Sequence, residues 1–310
     1  MTLSTSPLPD TTPPIVRRAR VSTQVEDERL ERVRFATART AVGALRGPTY
    51  SCYFRGEHAT ANYLVAFPRS TLWIRQDRGA AFVADPTVAT IYNCGQVHSR
   101  APISPDGDLV DWFAMSEPLV RDAVRAFDVT AAEAASPLAF TRAHVSPELY
   151  REQRAVFRAA GDPTVSEGSV EERVIGVFGN VMAVAFGERQ VTQHERRERL
   201  DLVERARAVI GDSYEQNLGV AEIAARCGTS VFHLCRTFRG HTGQTLHGFR
   251  RDIRLRIALG RLPDHRRDLS RLAVDLGFVS HSHFTAAFRR HFGVSPTVWT
   301  ARGEDVARAG

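Results

Sequence analysis

The stretch Gly277–Pro296, GFVSHSHFTAAFRRHFGVSP, decides the fold, because something close to it occurs once before in the same chain. The segment EIAARCGTSVFHLCRTFRGHTGQTLHGF, from Glu222, aligns with RLAVDLGFVSHSHFTAAFRRHFGVSPTVW, from Arg271, at an offset of 49 that becomes 50 after one inserted residue past the glycine. Ile223/Leu272, Ala224/Ala273, Gly228/Gly277, Phe238/Phe288, Arg239/Arg289, His241/His291, Gly243/Gly293 and Phe249/Trp299 coincide. Agreement at such spaced positions marks two copies of one structural unit.

Each copy has the grammar of a helix-turn-helix. A short helix, Ala221–Cys227 or Ser270–Leu276, runs into a glycine able to take the positive φ of a tight turn. Its small residue, Ala224 or Ala273, lets the next helix cross closely. Ser230 or Ser280 then stands as N-cap of a second helix, which ends at Gly243 or Gly293. Leu234 and Phe238, like Phe284 and Phe288, are four apart and turn inward as core. Phe232, His233, Cys235, Arg236 and Arg239 project elsewhere, as do His281, Ser282, His283, Thr285, Arg289 and Arg290. With the caps Ser230 and Ser280, these are the candidates to meet base edges and phosphates, since a major groove admits a helix by its outward polar face. Between the units, TLHGFRRDIRLRIALGRL sets Leu246, Phe249, Ile253, Ile257 and Leu262 on one face of a helix and Arg250, Arg251, Arg254 and Arg256 elsewhere. One strut holding two probes would let a single chain meet successive major grooves, spaced about 34 Å along a duplex.

The tandem with its linker closely resembles the AraC/XylS family of transcription regulators. The second unit carries nearly the whole signature: Ala273, Gly277-Phe278, Ser280, Phe284, Phe288-Arg289, Gly293, Pro296 and the aromatic Trp299. The resemblance spans about residues 212–303 and implies a seven-helix DNA-binding domain that activates transcription through RNA polymerase. Two departures stand out. Ala286 occupies a place where many relatives carry arginine or another long polar residue, whereas the first unit keeps Arg236 there. Arg236 is therefore expected to discriminate bases more than any residue of the second probe. Gly219 takes a cap position often held by Ser or Thr.

Charge agrees with a polyanionic partner. All 41 basic residues are arginine, a planar fork suited to phosphates and guanine edges. Residues 212–310 hold 15 of them against 9 acids, while residues 1–211 hold 26 of each, so the positive excess lies entirely in the last third. Cys52, Cys94, Cys227 and Cys235 are too few and too scattered for a disulfide scaffold; a redox pairing of Cys52 with Cys94 is the remaining idea for them. No apolar run reaches the roughly 20 residues of a membrane helix, and the N-terminus does not read as a secretory signal. A cytoplasmic protein with no membrane partner is expected.

The first half has a different texture. Residues 25–38, VEDERLERVRFATA, read as a short helix; the runs TYSCYFRG, ANYLVAFP, STLWIRQ, AAFVA, TVATIYN and LVDWFAM read as strands of an antiparallel sandwich or barrel. Ser116-Glu-Pro and Ser146-Pro-Glu announce helix starts, and Val174, Val177, Val181, Val184 and Ala185 form one helical stripe, as core or dimer contact. The run from Ala84-Asp-Pro86 to Asn93-Cys-Gly-Gln-Val-His98 resembles the cupin-like sensor of the same family, with Asn93 where the second cupin motif has proline. The expected fold is α+β: a mobile tail (1–20), a cupin-like β-barrel or sandwich sensor (21–135), a helical connector and dimerisation region (136–211), the all-α tandem helix-turn-helix domain (212–303) and a tail (304–310). Tyr53, Tyr63, Trp73, Tyr92, His98 and Trp112 are the candidates to line a pocket for a small-molecule effector. His98 lacks companion ligands, so neither metal, cofactor nor catalytic residue is expected. A homodimer is compatible with this layout. The alternatives are a cupin-like enzyme fused to a regulatory DNA module and a regulator governed by a protein partner.

Overall fold

A computed structural model of the chain describes residues 30–77, 79–188, 197–266 and 268–300, so both expected tails lie outside the described residues. Strands β1 (Glu31–Ala36), β2 (Thr40–Gly47), β3 (His58–Ala59), β4 (Tyr63–Pro68), β5 (Leu72–Gln76), β6 (Phe82–Ala84), β7 (Val88–Tyr92), β8 (Val97–Pro102) and β9 (Asp108–Met115) come first. Two helices follow, α1 (Glu117–Arg125) and α2 (Val129–Glu133), then β10 (Arg142–His144), α3 (Pro147–Ala159) and α4 (Glu167–Glu188). The remainder is helical: α5 (Arg197–Asp212), α6 (Val220–Arg226), α7 (Val231–Thr242), α8 (Leu246–Arg261), α9 (Leu269–Asp275) and α10 (His281–Phe292).

The strands build two sheets, one of six in the order β1-β2-β9-β4-β7-β10 and one of four in the order β3-β8-β5-β6. Side chains alternate across the larger sheet, as the period-two pleat requires. Ala41, Leu45, Ala66, Tyr92, Val110, Trp112 and Ala114 turn towards the smaller sheet. Val42, Val65, Ile91, Phe113 and Met115 turn the other way, onto the helices. That second face shares one continuous core with Leu149 and Phe157 of α3, Val174, Val177, Val181 and Ala185 of α4, and the helices up to Trp299. The valine stripe of α4 is thus core, with Val184 packed at its margin.

Three expectations need correction. Residues 31–36 are a strand, not a helix, because β2 offers Val33 and Phe35 an antiparallel partner that satisfies the backbone more cheaply than a short isolated helix could. The run TYSCYFRG is a turn with a 3-10 segment at Cys52–Phe54 rather than a strand. Residues 142–144, within the stretch read as helical, pair with β7 at the sheet's edge. Both expected caps sit where the sequence put them. Ser146 accepts from Leu149 N at 3.2 Å, whereas Ser116 makes no side-chain cap bond and the proline of its helix stands one place further in.

The turn between β6 and β7, Asp85-Pro86-Thr87, anchors the sheets to the C-terminal helices. Arg207 of α5 donates to Asp85 (2.9 Å) and Thr87 (3.1 Å), and Arg256 of α8 donates to the Pro86 carbonyl (2.9 Å). Glu204 accepts from Val83 N at 2.7 Å and pairs with Arg142 at 2.8 Å. Across the same seam a Cβ on Gly211 would overlap Thr71. Further along, Arg151 of α3 donates to the Phe292 carbonyl, and Arg158 lies 4.0 Å above the Trp299 ring.

Candidate nucleic-acid interface

Both second helices begin and end on the same local chemistry. The Ser230 and Ser280 hydroxyls accept from His233 N (3.2 Å) and His283 N (3.1 Å), satisfying donors that a helix start leaves over. Gly243 and Gly293 close α7 and α10 in the left-handed conformation, with φ of 70° and 74°. In the turns before them, Gly277 is held hardest: its φ is 76°, a Cβ there would overlap the Glu215 carbonyl and Arg254, and its own carbonyl accepts from Arg254 at 2.8 Å. Gly219 caps α6 without a side-chain bond, while Asp268 accepts from Arg271 N to cap α9.

The inward faces are as expected: Leu234, Phe238, Phe284 and Phe288 are fully buried. Outward, Phe232, His233, Cys235, Arg236 and Arg239 of α7 and His281, Ser282, His283, Arg289 and Arg290 of α10 are exposed, along with the two caps. Phe232 is 74% exposed, which places it on the surface rather than in the core. Thr285 is half-buried, 3.4 Å from the His281 ring, and His283 sets its ring against the edge of Phe278. Among the described residues no carboxylate pairs with Arg236, Arg239, Arg289 or Arg290, so these guanidiniums keep their charge available. His281, Ser282, Thr285, Ala286, Arg289 and Arg290 line an open concavity of about 670 Å³ along α10.

The strut departs from the simple reading. Arg250 donates to the Leu218 carbonyl (2.7 Å), Arg254 to those of Gly277 (2.8 Å) and Gln216 (2.9 Å), and Arg256 is fully buried against Asp252. These arginines clasp backbone oxygens instead of facing a duplex. Asp252 also takes the His291 ring at 2.6 Å, tying α8 to the second probe. Burial alone would raise its pKa, but Arg256 and His291 hold it below the usual carboxylate range. His247, which sequence reading passed over, is exposed in the first turn of α8. Its pKa is lowered by partial burial first and then by the charges of Arg250, Arg251, Arg254 and His283, so cationic groups of the strut and of α10 share one field.

The six effector candidates divide. Tyr53, Tyr92, His98 and Trp112 meet between the sheets, His98 5.1 Å from Tyr92 and 6.2 Å from His58, whose ring stacks on Tyr53 at 5.2 Å. Tyr63 lies on the opposite face, beneath α1, where burial and Glu117 raise its pKa. Trp73 points away from its neighbour Ile74, onto the outer side of the smaller sheet. Within the interior, both His98 ring nitrogens, the Tyr92 hydroxyl, Trp112 Nε1 and Gln76 Oε1 are buried without a hydrogen-bond partner among the described residues. Burial first, then Arg100 and His58, push the His98 pKa down to about 3, so the ring is neutral at physiological pH. Among the described residues no group of three His, Cys, Asp or Glu is placed to hold a metal. Cys94 is an exposed free thiol; the Cys52 side chain falls outside the described atoms, and so does the idea of pairing them.

Residues 223–302 match a family model described as a helix-turn-helix domain. Over 95 residues the chain is 36% identical to the regulatory protein SoxS of Escherichia coli (strain K12), which covers 31% of this chain and 89% of SoxS. The chain belongs to the AraC family of transcription regulators. A further relative, the uncharacterised HTH-type transcriptional regulator YidL of the same organism, is 33% identical over 95 residues, covering 31% of this chain and 32% of that one. Among solved structures, the AdpA DNA-binding domain in complex with a target DNA is similar over 36% of this chain and 98% of that chain (26% identity, TM-score 0.32). ToxT from Vibrio cholerae O395 is similar over 86% of this chain and 98% of that one (12% identity, TM-score 0.34). No helix among the described residues is long and apolar enough to cross a membrane.

Proposed function

We propose that this AraC-family regulator works in the cytoplasm, lays α7 and α10 into successive major grooves of one duplex, and activates transcription through contact with RNA polymerase. The observation that carries the reading is the matched pair of outward helix faces, each with exposed arginines that no carboxylate pairs among the described residues and each fixed to the buried strut α8. Arg239, Arg289 and Arg290 neutralise phosphates; Arg236 reads a base edge. Control comes from a small molecule held between the sheets by Tyr53, Tyr92, His98 and Trp112, where buried polar atoms lack partners. Such an effector acts only by binding two arrangements of the helices unequally, and the seam through Asp85, Pro86 and Thr87 is the path by which the sheets would bias them. Pairing of two copies through the connector is part of the same proposal.

The test is retention of genomic fragments by the purified full-length protein, followed by footprinting of those retained. Two protected major-groove tracts about one helical turn apart are expected. Equal retention of random duplex at moderate ionic strength would overturn the reading.

A further inference from the structure

Away from both the DNA face and the space between the sheets, charge is crowded around one carboxylate. Asp111 of β9 is fully buried on the helix-covered side of the larger sheet. It pairs with Arg154 of α3, and Arg69 Nη1, from the turn after β4, stands 3.7 Å from its other oxygen, too far for a hydrogen bond. Arg34 of β1 lies 4.8 Å over the Phe157 ring, which Arg154 also approaches, at 5.0 Å. Arg34 and Arg69 both sit in the combined field of Arg154, Asp111 and Arg46. Two guanidiniums, those of Arg154 and Arg69, thus border the one buried carboxylate, and the exposed Arg34 and Arg46 add to the positive field around it. The strain registers on Arg69, whose pKa is lowered by the charge of Arg154 first and by burial second.

The same face of α3 adds polar groups with nothing to bond. Tyr150, Gln153 and Arg154 follow at three- and four-residue steps, and all are buried. Among the described residues the Tyr150 hydroxyl, both amide atoms of Gln153, Arg154 Nε and the Asp111 oxygen that faces Arg69 find no hydrogen-bond partner. Native interiors leave few such atoms, and here five gather beside surplus positive charge. The mouth is Arg69, with 17% of its side chain exposed. The strut closes the far side: a Cβ on Gly260 would crowd Arg69, and Arg256 lies 5.2 Å over the Tyr150 ring.

We propose that this is a binding site for a small oxyanion, a carboxylate or a phosphate, whose charge settles between Arg69 and Arg154 while its oxygens accept from the Tyr150 hydroxyl, the Gln153 amide and Arg154 Nε–H. Asp111 offsets one guanidinium and leaves the remainder for the ligand. Because sheet, α3 and α8 all border the site, occupancy bears on how the strut is seated. Anion uptake itself is independent of the DNA-reading proposal.

Thermal unfolding of the full-length protein without DNA tests it, at constant ionic strength, with chloride replaced by inorganic phosphate in one arm and by acetate in the other. A saturable rise of about 3 °C is expected at ten times the dissociation constant. A rise with phosphate alone identifies a phosphate-bearing ligand; with acetate alone, a carboxylate. Arg69→Gln should abolish the rise, while Arg75→Gln, an exposed arginine of β5, should keep it. Tyr150→Phe removes a hydroxyl without a hydrogen-bond partner among the described residues, so it should fold at least as stably as the parent yet bind the anion several-fold more weakly. Absence of a saturable shift in both arms overturns the proposal, as does unchanged affinity in Tyr150→Phe or Arg69→Gln, or a shift lost instead in Arg236→Ala.

Discussion

At the residue scale the two probes are unequal despite their common grammar. Arg236 extends a bidentate fork from α7, whereas its counterpart Ala286 on α10 is exposed but too short to hydrogen-bond a base. Arg236→Ala should therefore cost roughly 1–3 kcal/mol on the preferred site and relax base preference in the first groove, read by competition footprinting. A second prediction concerns His98. Its folded-state pKa of about 3 lies below the ordinary histidine value, so the unfolded chain binds a proton that the folded chain refuses. Stability is then whole above roughly pH 6.5 and falls with acid by up to ~1.4 kcal/mol per pH unit until the ring titrates in the fold. Urea midpoints between pH 7.5 and 5 should decline less steeply in His98→Phe than in the parent.

At the element scale the decisive piece is α8, a helix buried almost all round. Leu246, Phe249, Ile253, Leu255 and Leu259 pack, while Asp252, Arg254 and Arg256 are equally enclosed. Removing one member of an enclosed ion pair strands the other, so Asp252→Ala should destabilise the whole protein by roughly 3–5 kcal/mol in equilibrium unfolding. The loss should exceed that of any exposed acid, such as Glu222 on α6. The helix-turn-helix units were legible because their signals are local: Ser230 and Ser280, Gly243 and Gly293 act within four residues of themselves. The inward turn of Arg250, Arg254 and Arg256 was not, since their acceptors are carbonyls of Leu218, Gly277 and Pro86, brought near only by tertiary folding. For the same reason β1 read as a helix: its partner β2 carries no mark in the sequence of β1. Of the effector candidates, strand alternation could have separated Trp73 from its neighbours once register was known, and register is what a single sequence leaves open.

At the scale of the whole molecule, binding to DNA should fall steeply with salt, since the excess charge lies in residues 212–310 and the probe arginines are exposed, with no carboxylate paired to them among the described residues. Each phosphate neutralised contributes about −0.9 to the slope of log affinity against log salt concentration, so Arg290→Ala should flatten that slope by about one while leaving sequence preference intact. Titrations at several chloride concentrations read both quantities. The seam has a practical corollary for anyone wishing to shorten the chain. In the intact protein the strut's outer flank is clothed by the Asp85–Thr87 turn and by the Tyr150 ring of α3, so severing the last hundred residues would bare the guanidinium of Arg256, and the excised piece would keep its solubility best if that flank were first redressed with small hydrophilic substitutes.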